Sequence, residues 1–174
     1  AETNGFDGAI IGCFYDPGLY ESREITDNIV VVAPGESSMS ISLSLGYKFS
    51  IIAGSEKYIP IITENIKKYG YTDKLASVKV VDIKVEDYRE DLSLTEKRVI
   101  GKSKEAVQVD RAEVLILGCT AQYGIYKDIQ GHVNVPVLDP IISSLKYCEF
   151  LINIRKSFGW GHSKRCLYQS PPVI

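Results

Sequence analysis

The sequence predicts an α/β protein with mainly parallel strands. Short apolar or β-branched runs alternate with helical patterns along nearly the whole chain, which is the pattern of helices packed on a parallel sheet. Two of these runs end alike. Ala9-Ile10-Ile11-Gly12-Cys13-Phe14 and Val114-Leu115-Ile116-Leu117-Gly118-Cys119-Thr120 both close on Gly-Cys, with turn and helix-start residues following. Runs of this length bounded by turn signals read as strands buried on both faces. Finally, 174 residues with 45% hydrophobic and 24% charged content suit one ordinary soluble domain or two small lobes sharing a core.

Taken in order, residues 8–12 form the first expected strand. Asp16 reads as an N-cap with Pro17 at the first helical position, opening a short helix to about Ile25. Ile29 to Val32 is β-branched and extended. Ala33-Pro34-Gly35 breaks the pattern, and a helix from about Glu36 ends at Gly46 in a left-handed C-terminal position. Phe49 to Ala53 is a strand. Ser55 caps the next helix, whose apolar positions Tyr58, Ile62, Ile66 and Tyr69 keep helical spacing before Gly70 ends it. Val78 to Ile83 is a strand, and a charged helix spans roughly Ser93 to Arg111. The second Gly-Cys strand follows, then a helix from Thr120 to about Ile129, a short strand at Val135 to Leu138, and a last helix opened by Asp139-Pro140 and running to about Lys156. Gly159 to Ile174 has no periodicity and reads as a loop or arm.

The net charge of −2 and the lack of a basic stripe argue against nucleic acid as a partner. No apolar run approaches the ~20 residues of a membrane span, and no secretory signal opens the chain. Four cysteines in an α/β pattern fit a reducing cytoplasm. Ala1 to Asp7 are polar and lead almost at once into a strand, so a βα unit is expected upstream.

A free cysteine is most often a small buried hydrophobe. Cys13 and Cys119 differ because both sit where a parallel strand ends, the edge at which open α/β sheets bind ligands. A helix N-terminus there would favour the thiolate and depress its pKa. The preceding glycines allow close approach of backbone and ligand. Backbone N–H groups of Phe14, Tyr15, Thr120 and Ala121 are candidates for holding a substrate oxygen. Cys148 makes a helical stripe with Ile141, Leu145 and Ile152 and reads as core; Cys166 has no role beyond packing. His132 and His162 are isolated, no C-x-x-C occurs, and the glycine signatures of nucleotide sites are missing, so neither metal nor cofactor is expected. Two thiols on opposite sides of a carbon acid suggest racemisation: one takes a proton, the other returns it to the opposite face. One thiol alone would give one-sided protonation, and a disulfide pair would give redox chemistry.

Ile11-Gly12-Cys13-Phe14-Tyr15-Asp16-Pro17-Gly18-Leu19 resembles the first cysteine motif of the hydantoin and allantoin racemases, in the aspartate/glutamate racemase superfamily. Leu117-Gly118-Cys119-Thr120 resembles the second. Gly35-Glu36-Ser37 with its helix and the tail Ser163-Lys164-Arg165-Cys166-Leu167-Tyr168 match that branch as well. The resemblance implies two pseudo-symmetric lobes with mainly parallel sheets and a site in the cleft between them. Residues 1–33 with 138–174 would form the first lobe and 34–137 the second. It makes Cys13 and Cys119 the acid/base pair acting on a hydantoin or ureide without a cofactor, in an enzyme that often assembles into homo-oligomers. Three positions depart from the family: no Asn-Pro-Asn type motif opens the chain, Ala53-Gly54-Ser55 stands where paired threonines are usual, and Cys166 replaces the tail glycine. Competing expectations are a truncated relative that binds a ureide without chemistry, an amino-acid racemase or decarboxylase of the same fold, and a thiol-redox protein.

Overall fold

The computed structural model describes residues 1–172. The chain runs β1 (Gly8–Ile10), α1 (Leu19–Ile25), β2 (Val30–Val32), α2 (Pro34–Ser42), β3 (Phe49–Ala53), α3 (Ile59–Lys68), β4 (Leu75–Val80), α4 (Leu92–Gln108), β5 (Val114–Leu117), α5 (Tyr126–Val133), β6 (Val137–Leu138) and α6 (Pro140–Phe158). The strands form two sheets, β1-β2 and β4-β3-β5-β6, and the pairs within both are parallel. Among the described residues no helix is long and apolar enough to cross a membrane.

The larger sheet is built on β3 and β5, whose residues are all buried. On one face Phe49, Ile51 and Ile116 pack with Met39 of α2 and Ile62 and Ile66 of α3. On the other, Ile52, Leu115 and Leu117 pack with Val99 and Ala106 of α4 and Ile129 of α5. In the smaller sheet, Val30 and Val32 face Cys148 and Ile152 of α6, while Val31 faces Leu19 of α1. Cys148 is therefore core, but Leu145 of its expected stripe is 46% exposed. The first Gly-Cys strand is less enclosed than its apolar run suggests: β1 is partly buried and Ile10 is 39% exposed.

Several boundaries differ for tertiary reasons. Asp16 does not cap its own helix; α1 starts at Leu19 behind the left-handed Gly18. The Asp16 carboxylate instead accepts N–H bonds from Gly35 (2.8 Å) and Glu36 (2.7 Å) at the head of α2. Pro34 is the first residue of α2 rather than a break before it. Gly46 is not left-handed; its lack of a Cβ leaves room for Glu113 and Val114. Asp139 caps α6 through Ile141 and Ile142, as its Asp-Pro signature predicts.

The tail is an irregular arm that docks on α1. The Lys164 ammonium donates to the carbonyls of Arg23, Glu24 and Thr26 at 2.7–2.9 Å, binding the open end of α1. His162 Nε2 accepts the Val31 N–H at 2.9 Å and Arg23 Nε donates to the Val31 carbonyl at 3.0 Å. The outer edge of β2 is thus satisfied by side chains instead of a strand. Cys166, at the family's glycine position, has φ 56°, in the left-handed region that favours glycine. Residues 173 and 174 of the expected arm lie outside the described residues.

Two outcomes follow from the arm. Cys166→Gly should stabilise the protein by about 1 kcal/mol, measured by urea unfolding, because it relieves the left-handed strain. Burial and the Arg23 guanidinium pull His162 from 6.5 down to about 4. The unfolded chain then binds a proton that the folded chain excludes, so this contribution is complete above 6.5 and is lost as pH falls towards 4. Asp16, which burial pushes from 3.8 up to about 6, has the opposite slope. The effect is isolated by difference: thermal unfolding of wild type against His162→Gln should show a gap that closes between pH 6.5 and pH 4.

Candidate functional site

Cys119 lies directly beyond the buried end of β5. Gly118 is required there, because a Cβ would stand 2.8 Å from Ile51 Cγ2 and 2.9 Å from the Ile52 carbonyl oxygen. A Cβ on Gly12 would meet nothing within 4 Å. Close packing therefore explains the glycine before the second cysteine but not the one before the first.

Neither cysteine abuts an α-helix. Cys13 opens a turn in which the Asp16 N–H donates to its carbonyl at 3.1 Å. Cys119 precedes a single 3-10 turn, Thr120–Gln122, and the chain breaks at Gly124 before α5 begins. The helix expected from Thr120 begins only at Tyr126, because Asp139 Oδ2 takes the Gly124 N–H at 2.8 Å and Gly124 has φ 92°. The expected depression of the Cys119 pKa is corrected with it. Burial pushes that thiol up, the charge of Cys13 adds to the rise, and the N–H of Ala121 opposes it.

Of the candidate residues, Cys119 and Tyr15 line a cavity of about 240 Å³, with Gly54, Ser55, Lys57, Tyr58 and Tyr88. Cys13 is half-buried and does not line the cavity itself, but it opens the turn that carries Tyr15 there. The Tyr15 ring stacks on Tyr58 at 4.6 Å and 20°. Burial, then the two cysteines and Tyr58, hold its phenol well above the usual range. The Tyr15 carbonyl accepts from Asn65 Nδ2 at 2.8 Å, anchoring the Cys13 turn to α3. The Phe14 side chain is buried in the core of the larger sheet. The Ala121 N–H is directed at the Cys119 sulfur.

The sequence marks Tyr58 only as an apolar helix position, and it gives Tyr88 and Gln122 no site role; the structure puts Tyr58 and Tyr88 in the cavity lining. Tyr88 is the one aromatic in the charged run Lys84 to Asp91, and that is its only sequence signal. His132 is exposed, with Nδ1 at 2.7 Å from the Asp128 carbonyl within α5.

A family model described as Asp/Glu/hydantoin racemase matches residues 1–148. Hydantoin racemase from Paenarthrobacter aurescens is 32% identical over 165 residues, covering 95% of this chain and 68% of that protein. Hydantoin racemase from Pseudomonas sp. (strain NS671) is 27% identical over 155 residues, covering 89% of the chain and 62% of its own length. The chain thus spans roughly two thirds of these relatives. The crystal structure of allantoin racemase from Pseudomonas fluorescens superposes with a TM-score of 0.89 at 26% identity, covering 97% of this chain and 71% of that one.

The two glycines give a contrast to measure. Gly118→Ala should cost about 1–3 kcal/mol in denaturant unfolding through overpacking against β3, while Gly12→Ala should stay within about 0.5 kcal/mol of wild type.

Proposed function

The chain belongs to the Asp/Glu/hydantoin racemase family, a family of isomerases, and on that premise we propose that it racemises 5-substituted hydantoins or the ureide allantoin through Cys13 and Cys119. The observation that carries the reading is that Cys119 lines one small cavity together with Tyr15, from the turn that Cys13 opens. The names of the relatives support the substrate class.

The chemistry follows from having two thiols available. A charge on one sulfur disfavours a charge on the other, so the working state holds one thiolate and one thiol. The thiolate removes the proton from the ring carbon next to the carbonyl. The carbon becomes planar, and the negative charge moves to the oxygen. The thiol then protonates the opposite face. The product state has the roles of the sulfurs exchanged, which is the state the reverse conversion needs. The Ala121 N–H favours the Cys119 thiolate in its buried setting. The N–H groups of Phe14, Tyr15 and Thr120 are the proposed donors to the developing oxyanion. The stacked Tyr15 and Tyr58 rings present a flat wall to a planar heterocycle, and about 240 Å³ suits a small ring. No cofactor enters this scheme. A cytoplasmic setting, a small-molecule partner without nucleic acid or membrane, and self-assembly complete the proposal.

The test is α-proton exchange and optical rotation in D2O, with a 5-substituted hydantoin and with allantoin. Exchange with loss of rotation is expected. Cys13→Ser or Cys119→Ser should each cut racemisation by about 1,000-fold. A single variant that racemises at the wild-type rate overturns the two-base scheme, and exchange without inversion leaves one working cysteine.

A further inference from the structure

Of the polar side chains that line the cavity and that the scheme above does not use, Tyr88 is the buried one. Tyr88 is 1% exposed, yet it lines the cavity with Cys119. Its position follows from the sheet. Ile52 of β3 and Leu117 of β5 are register partners, and Gly54 and Cys119 lie two residues beyond them. A Cβ on Gly54 would stand 2.9 Å from the Tyr88 oxygen. The phenol therefore sits over the carboxyl ends of the two central strands, beside the residue that carries the thiol. Glycine at 54 leaves that oxygen uncovered.

Gln122 sets what the hydroxyl can do. Its Nε2 donates to the Tyr88 oxygen at 3.1 Å, so the phenol's own proton is turned elsewhere. Among the described residues no group accepts that proton. Gln122 is itself 1% exposed and held in the turn after Cys119, its N–H donating to the Cys119 carbonyl at 3.0 Å. The same turn thus places the thiol and orients the phenol. Burial and the neighbouring Cys119 hold the Tyr88 phenol above its usual range, so it keeps its proton while the thiol titrates.

We propose that Tyr88 is a catalytic hydrogen-bond donor, oriented by Gln122, whose O–H binds the carbonyl oxygen of the carbon acid and stabilises the enolate formed beside Cys119. The inference rests on the racemase reading above. It adds to the backbone N–H groups a side-chain donor that is itself 1% exposed. No proton leaves the phenol: it shares its hydrogen as charge builds on the substrate oxygen and keeps it when the carbon is reprotonated. Gln122 acts through Tyr88 and is a positioning residue.

The experiment measures two quantities on wild type, Tyr88→Phe, Gln122→Glu and Gln122→Met. These are the rate of α-proton exchange with the 5-substituted hydantoin and the calorimetric affinity for 5-benzylidenehydantoin, which is planar at the reacting carbon and cannot exchange there. Tyr88→Phe keeps the ring and should lower kcat/KM about 100-fold, mainly through kcat, and weaken binding of the planar probe. Gln122→Glu offers only acceptors, captures the phenol's proton and should match Tyr88→Phe. Gln122→Met leaves the phenol unheld and should lose about 10-fold. Loss of probe affinity in Tyr88→Phe, with no exchange by wild type, would keep the donor and overturn the racemase reading. Tyr88→Phe within twofold of wild type in both rate and affinity overturns the donor. Absence of both exchange and probe binding in wild type overturns both.

Discussion

The Asp16 carboxylate is the joint between the two sheets. It leaves the turn after Cys13 and accepts the N–H groups of Gly35 and Glu36 and the hydroxyl of Tyr69, all within 2.8 Å. A buried carboxylate is costly unless its oxygens are satisfied, and here three donors from α2 and the end of α3 satisfy them. Gly35 is the residue that lets the turn come this close, since a Cβ there would stand 2.6 Å from the Phe14 carbonyl oxygen. With the turn seated, Phe14 enters the core of the larger sheet and Asn65 reaches the Tyr15 carbonyl. Nearby, the buried Arg23 of α1 forms a two-pronged pair with Glu36 of α2. Such a pair is weak evidence for stability but strict in geometry. The position of Cys13 relative to Cys119 is therefore set by a cap reaching across the molecule.

That arrangement changes the electrostatic character of the candidate site. A thiol at the head of a long helix is an acid made stronger by aligned peptide dipoles. Cys119 has one N–H, a buried setting and a second sulfur as neighbour, and its thiol is a weaker acid than a free cysteine. In the two-base scheme proposed above, a Cys119 thiol that resists ionisation is suited to the role of proton donor.

The parts of the fold that are legible in the sequence are those decided locally. Phe49 to Ala53 and Val114 to Leu117 appear as strands because each is an unbroken apolar run between turn residues, and both are central and buried. Asp139-Pro140 announces a helix start whose cap bonds to its own first turn. Asp16-Pro17 carries the same signature, but its acceptor is drawn to a helix 19 residues away, which no local rule reveals. Thr120 to Ile129 has helical composition, and a distant aspartate at its Gly124 divides it. In the candidate site, the two cysteines stand out because their flanking sequences repeat. Tyr88 and Gln122 do not, because their meaning lies in a hydrogen bond across 34 positions. The tail lacks periodicity because its order comes from docking: Lys164 and His162 find their partners on α1 and β2.

The docking of that arm also bears on how the chain reaches its native state. The bond from Val31 to His162 closes 131 positions of sequence, and the bond from Lys164 to Arg23 closes 141. Such closures are slow to form and entropically expensive. The larger sheet draws its strands from the contiguous stretch 49–138 and depends far less on them. Its assembly is favoured early, with the small sheet, α6 and the arm joining last. Cys119 belongs to that stretch and Cys13 does not, so the candidate site is completed only when the late-joining part of the chain is in place.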